Sequence, residues 1–163
     1  MVFFSQSKIF VIAEIANSHE GNVSKARKLI DFANIAGADA VKFQKFTADE
    51  LVERNHKDYD LFKKLEMKPN DWKNLISFAK SKKLKVIVDV FGVKSVKSIL
   101  KLKIDGLKIH SSDLTNPFLL RFLARLNYPL LLSTAGSKLN EIDESLKVLT
   151  KTNKQIAIMY GFQ

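Results

Sequence analysis

The feature that most constrains this chain is an alternation. Short apolar runs and stretches with apolar residues at helical spacing follow one another from end to end. The runs cover residues 9–15, 40–44, 85–90, 106–109, 129–134 and 155–160. Several are apolar throughout, as strands buried on both faces are. Residues 23–36 place Ala26, Leu29, Ile30 and Ala33 on one helical face, with Gly37 as a stop. A second helix follows Pro69-Asn70-Asp71 and carries Trp72, Leu75, Ile76 and Ala79; its lysine-rich end suits the helix dipole. Residues 93–102 give a third, and Asn116-Pro117 opens a fourth with a cap followed by proline at the first helical position. Residues 139–149 give a fifth, aligned on Ile142, Leu146 and Leu149. The one long connection, residues 45–68, has room for a short helix near 59–65. Six strands in strict alternation with five helices imply right-handed crossovers and a parallel sheet.

Composition narrows the class further. The chain has 163 residues, 46% hydrophobic and 27% charged, which fits one globular domain and excludes disorder. The absence of cysteine excludes disulfides and thiolate metal sites. Residues 1–8 lack a basic leader, and Glu14 interrupts the next apolar run, so neither a signal peptide nor a membrane span is expected. The expected location is the cytoplasm. A net charge of +10 raises nucleic acid as a partner, but 23 of the 27 basic residues are lysine and four are arginine. Arginine is the usual base-edge and bidentate phosphate reader. Lysine-rich solvated surface, or steering of a small anion into a cleft, fits the charge better than nucleic acid or a membrane.

The chemistry concentrates where strands end, the edge of a parallel α/β sheet at which ligands bind. Glu14 lies inside an apolar run, and such a carboxylate costs several kcal/mol unless paired or hydrogen-bonded. In the second run the period of two puts Lys42 and Gln44 on one face, Val41 and Phe43 on the other. Lys108 shares its face with Gly106 and His110. The fifth run ends Ser133-Thr134-Ala135-Gly136, hydroxyls and backbone N–H groups of the kind that cradle anions, or equally a turn and helix cap. Two lysines and several hydroxyls thus converge on one rim, a site for a small phosphorylated or carboxylated anion. Two carboxylates, Glu14 and Asp113, are available for proton transfer or for orienting a metal-bound water.

These residues resemble a known family. Glu14-Ile-Ala-Asn17-Ser-His19-Glu-Gly21 is similar to the opening strand of the N-acetylneuraminate (sialic acid) synthases. Ala38-Asp-Ala-Val-Lys42-Phe-Gln44 resembles their second strand, and Leu107-Lys108-Ile-His-Ser111-Ser-Asp113-Leu-Thr-Asn116 their fourth. Leu132-Ser133-Thr134, followed by Glu141-Ile142, resembles their fifth strand and helix. The resemblance implies a (β/α)8 TIM barrel and condensation of phosphoenolpyruvate with an N-acylated amino sugar to a nine-carbon 2-keto acid. It assigns Lys42, Lys108, Ser111, Ser133 and Gln163 to phosphoenolpyruvate, and Gln44 and Asn17 to the sugar. Glu14 falls beside the sugar aldehyde and metal. Asp113, where the family typically has glutamate, orients or deprotonates the attacking water.

The chain also departs from that family. The third strand ends Asp89-Val90-Phe91-Gly92, where a hydroxyl is usual; Asp89 repels the phosphate unless a lysine or metal offsets it. Ala135-Gly136 and Tyr160-Gly161-Phe162 also differ from the usual residues. The resemblance further implies a divalent metal, manganese or magnesium. None of His19, His56 and His110 matches its histidine ligands, which belong to strands seven and eight. The sequence is expected to be a partial barrel, residues 1–163 covering strands one to six, without the last strands or the family's antifreeze-like domain. Its open edges predict a homo-oligomer, or a partner supplying strands, and an inactive isolated chain. Two alternatives stand beside this reading: a Schiff-base aldolase using Lys42 or Lys108, and a non-catalytic anion-binding half-barrel.

Overall fold

The computed structural model describes residues 9–126, 128–152 and 155–161. Its strands are β1 (Ile12–Ala16), β2 (Ala40–Lys45), β3 (Lys85–Val90), β4 (Gly106–Ile109), β5 (Leu130–Ser133) and β6 (Ile156–Met159). The helices are α1 (Val23–Ile35), α2 (Ala48–Leu51), α3 (Tyr59–Leu65), α4 (Pro69–Ser81), α5 (Val93–Ile99), α6 (Pro117–Ala124) and α7 (Leu139–Leu149), with a 3₁₀ turn at Ser111–Asp113. All strand pairs are parallel, and the order in the sheet is the order in the chain, β1-β2-β3-β4-β5-β6. A doubly wound sheet reverses direction at a switch point; this one never does, so it curls as a barrel does.

Helix ends are set by local chemistry. The Asn22 side chain accepts from Lys25 N at 2.9 Å, and α1 stops before Gly37, whose φ of +77° suits glycine. Asn116 accepts from Leu119 N at 3.2 Å, with Pro117 first in α6. Glu141 reaches back to Lys138 N at 2.8 Å at the start of α7.

Four differences from the sequence expectation have physical causes. β1 begins at Ile12 rather than residue 9, because an edge strand has one neighbour and its pairing starts at Ile12↔Ala40; Ile9 is 84% exposed. α5 stops at Ile99, short of residue 102, in a turn where Leu102 N donates to Ile99 O. The 3₁₀ turn and α2 are too short for any periodic signal. The α2 segment is fixed by tertiary contacts instead. Glu66 accepts from Ala48 N at 2.8 Å, and Glu50 accepts from Lys94 N at 3.0 Å and from the Ser95 hydroxyl. A Cβ on Gly92 would come within 2.2 Å of Glu50 Oε1, so any other residue there would push the Glu50 side chain aside.

The sheet has an apolar layer on each face. Outside, Val41, Phe43, Val88, Leu107 and Leu130 pack against the helices with Trp72, Leu75 and Leu119. Phe43 meets Trp72 edge-on at 5.7 Å between ring centres. On the concave side Ala40, Ile87 and Leu131 pack with Phe10, Ile12 and Met159. This small inner layer is the floor beneath the site.

Candidate active site

One pleat beyond that floor, the concave face becomes charged. Asp89 accepts from Lys108 Nζ at 2.6 Å, and Lys42 Nζ lies 3.8 Å from the same carboxylate oxygen. Lys42 also pairs with Glu14. Two cations and two carboxylates from four adjacent strands thus alternate in a row. Asp89 is fully buried, Lys42 and Lys108 nearly so, and only Glu14 is half open to solvent. The register explains the row: Glu14 is opposite Lys42, and Asp89 is opposite Lys108.

Burial pulls the Lys42 ammonium from 10.5 to about 8; Asp89 opposes that shift and Lys108 adds to it. Lys42 therefore changes charge more easily than an exposed lysine. Asp89 Oδ1 is buried with no hydrogen-bond partner among the described residues. Lysine pairs with Asp89 here, one of the two ways in which the sequence allowed its charge to be offset. The same residue makes the two cations face each other across a carboxylate.

Glu14 is held from both sides. Its other oxygen accepts from Ala16 N at 3.0 Å. The β1–β2 register shifts between Glu14 and Ala16, and Ala16 has a φ of +45°. An alanine there costs on the order of 1–3 kcal/mol. The bulge turns Asn17 toward β2, and Asn17 Nδ2 donates to Gln44 Oε1 at 2.6 Å. Asn17 Oδ1 has no partner among the described residues. The structure thus joins the two residues assigned to the sugar.

Asp113 lies in the 3₁₀ turn after β4, half-buried. Burial raises its carboxyl pKa, while the hydrogen bond from Asn116 Nδ2 at 3.0 Å and the nearby His110 lower it. Ser111 opens the same turn, and Ser133 ends β5. Thr134, not Ser133, is tied down, its N and Oγ1 each 3.1 Å from Met159 O. That leaves the Ser133 hydroxyl without a hydrogen bond among the described residues. Gln163 lies outside the described residues.

The histidines serve loops. Buried His19 accepts from Gly21 N at 3.0 Å; burial first, then Lys25, lowers its pKa. His56 accepts from Asp58 N, and His110 stacks on Phe91 at 5.4 Å and accepts from Ser112 N. Among the described residues no group of three or more His, Asp or Glu is placed to hold a metal. Glu14, the carboxylate expected beside one, has both oxygens engaged, one with a lysine. The described residues therefore do not fit a metal site. Asp89 is the member of the row that sequence reasoning left out, as a departure rather than a participant. Its signal was the one that marked Glu14: a carboxylate inside an apolar run.

Comparison with known proteins agrees with this fold. The model of the NeuB family matches residues 29–162. The spore coat polysaccharide biosynthesis protein SpsE of Bacillus subtilis is 33% identical over 93% of this chain and 44% of its own length. An N,N'-diacetyllegionaminic acid synthase of Campylobacter jejuni is 34% identical over 88% of this chain and 47% of its own. The chain thus spans less than half the length of these curated relatives. The crystal structure of a sialic acid synthetase from Leptospira borgpetersenii, in complex with citrate, superposes with a TM-score of 0.89. It covers 96% of this chain and 58% of that one at 24% identity, a likeness of fold.

Proposed function

The chain belongs to the NeuB family, and from that premise we propose that its strand-end row binds phosphoenolpyruvate for condensation with an N-acylated amino sugar. The product is a nine-carbon 2-keto sugar acid. One observation carries this reading: two buried lysines face each other on the concave rim with only side-chain carboxylates as counter-ions. A substrate phosphate and carboxylate replace such counter-ions ion for ion, so the lysines need no new desolvation. The Ser111 and Ser133 hydroxyls, with Gln163, complete the anion shell.

The acceptor sugar meets the Asn17–Gln44 amide pair, whose buried Asn17 oxygen is left to accept from its N-acyl N–H. C3 of phosphoenolpyruvate forms the new bond to the aldehyde carbon, and the aldehyde oxygen takes a proton. Water adds to the cation left at C2, and phosphate departs from the tetrahedral intermediate. Asp113 takes one proton of that water, which balances the proton gained by the aldehyde oxygen, and the other leaves the C2 hydroxyl with the departing phosphate as the ketone forms; burial favours the protonated form of Asp113, which suits a proton acceptor. Glu14 holds Lys42 in place beside the aldehyde. A divalent metal is expected with the family and would polarise the aldehyde. The described residues supply no cluster for it, and the roles assigned to this chain are binding, orientation and proton transfer.

β1 and β6 are each paired on one side among the described residues. Closing the ring takes further strands beside β1 and β6, whichever chain carries them. Titration calorimetry tests the anion site directly. Phosphoenolpyruvate should bind the chain, and Lys108→Met should weaken it about tenfold or more; unchanged affinity in both Lys42→Met and Lys108→Met would overturn the assignment. A periodate–thiobarbiturate assay for the 2-keto acid, on the closed assembly with acceptor sugar and metal, tests turnover. The lowered pKa of Lys42 favours one rival, the Schiff-base aldolase. Borohydride with pyruvate decides: covalent reduction onto Lys42 supports the aldolase, and none supports the condensation.

A further inference from the structure

On the opposite side of the sheet from the rim, α4 and α5 leave a groove. One cavity of about 210 Å³ lies between the first turn of α4 and the end of α5, lined by Lys45, Trp72, Lys73 and Lys101 among others. A second, of about 310 Å³, continues from it and is lined by Lys73, Lys80, Lys101 and Lys103. The two share Lys73, Lys101 and Leu102, and neither has an acidic residue in its wall. Lys73 and Lys80 are seven apart on α4, two turns along one face.

Trp72 carries the second observation. It is 3% exposed, lines the smaller cavity, and its indole N–H has no acceptor among the described residues. Buried donors are almost always satisfied, and this one belongs to the residue that forms the apolar wall of the smaller cavity. Lys45 Nζ lies 5.5 Å from the centre of the same indole ring. The carboxylates nearby have other partners. Glu50 binds the start of α5, Glu66 binds Ala48 N and Lys63, and Asp71 accepts from Lys68 N. Asp105 pairs with Lys80 and Lys85. Lys73, Lys101 and Lys103 have no ion pair among the described residues.

We propose that this groove binds a small diphosphate ester, its phosphates on Lys73, Lys101 and Lys103 and its organic end against the wall formed by Pro69 and Trp72. Two joined cavities with lysines shared at the junction fit two linked phosphates better than one. The site is separate from the concave rim and independent of the phosphoenolpyruvate reading.

The chain has one tryptophan, so its indole N–H gives a single resonance in a nitrogen-15 proton correlation spectrum. At constant ionic strength, inorganic pyrophosphate should shift that resonance saturably, about tenfold more tightly than inorganic phosphate. Lys73→Gln and Lys101→Gln, both exposed positions, should each weaken pyrophosphate about fivefold, while Lys108→Gln on the rim leaves it unchanged. A response lost in Lys108→Gln but kept in Lys73→Gln overturns the proposal by placing the anion in the concave site. Equal affinity for phosphate and pyrophosphate overturns it too. So does tighter binding of a single-stranded oligonucleotide at equal phosphate concentration, which makes the groove a general polyanion surface.

Discussion

Two layers of one concave face behave as opposites. Ile12, Ala40 and Ile87 form the floor, and two residues further along the same strands come Glu14, Lys42 and Asp89. β4 adds Lys108 two residues beyond Gly106. The strands, their direction and the face are the same, and only the pleat differs. The floor holds by shape, with small and branched side chains filling a narrowing space. The row above holds by charge, two cations against two carboxylates, all but Glu14 almost without water. An apolar layer loses stability in proportion to the volume removed. A buried ionic row fails by leaving a charge without a partner.

The sharpest way to break that contrast is Asp89→Ala. It leaves Lys108 buried beside Lys42 with no counter-ion, and should cost about 3–5 kcal/mol in urea unfolding. Ile87→Val in the floor should cost only about 0.5–1.5 kcal/mol. Equal losses would mean that the two layers are held in the same way.

A smaller effect comes from pH. The Lys42 pKa falls from 10.5 unfolded to about 8 folded, so between those values the unfolded chain binds more protons. Stability contributed at this site should therefore rise as pH climbs from about 8 toward 10.5, by at most about 3 kcal/mol. Unfolding curves across that window, compared between the natural chain and Lys42→Met, isolate the slope; the variant should lack it. A parallel slope in both would place the titration elsewhere.

The smallest expected change lies at the edge of the charged layer. Asn116→Ala removes the cap of α6 and the hydrogen bond to Asp113 together. It should cost about 1 kcal/mol and move the Asp113 carboxyl further upward, read by carbon-13 NMR. A downward movement would show that the Asn116 hydrogen bond is not what holds this group down.

Much of this was legible in the chain. The strand ends stood out because Glu14, Lys42 and Lys108 intrude on apolar runs, and a period of two put Lys42 opposite in sense to Phe43. The helix starts at Pro69 and Pro117, and the short helix at Tyr59–Leu65, follow from local signals. Asp89 stood in the same kind of run as Glu14. Yet its partner is 19 residues away and is set by β3–β4 register, which no local pattern encodes. The start of β1 was misplaced because an edge strand lacks the second neighbour that would pair Ile9. The groove at Trp72 was invisible because its walls come from β2, α4 and the end of α5.

The sequence by itself determined the alternation, the parallel barrel-type sheet, the faces of the strands and the family, because these rest on periodicity and on local runs of residues. Tertiary structure alone decided that Lys42 and Lys108 share one carboxylate, that Asn17 reaches Gln44 across a bulge, and that a buried tryptophan forms one wall of a lysine-lined groove. Those depend on register and on crossings between distant segments. There, low dielectric and exact neighbours, rather than residue type, set what each charge costs and what it can bind.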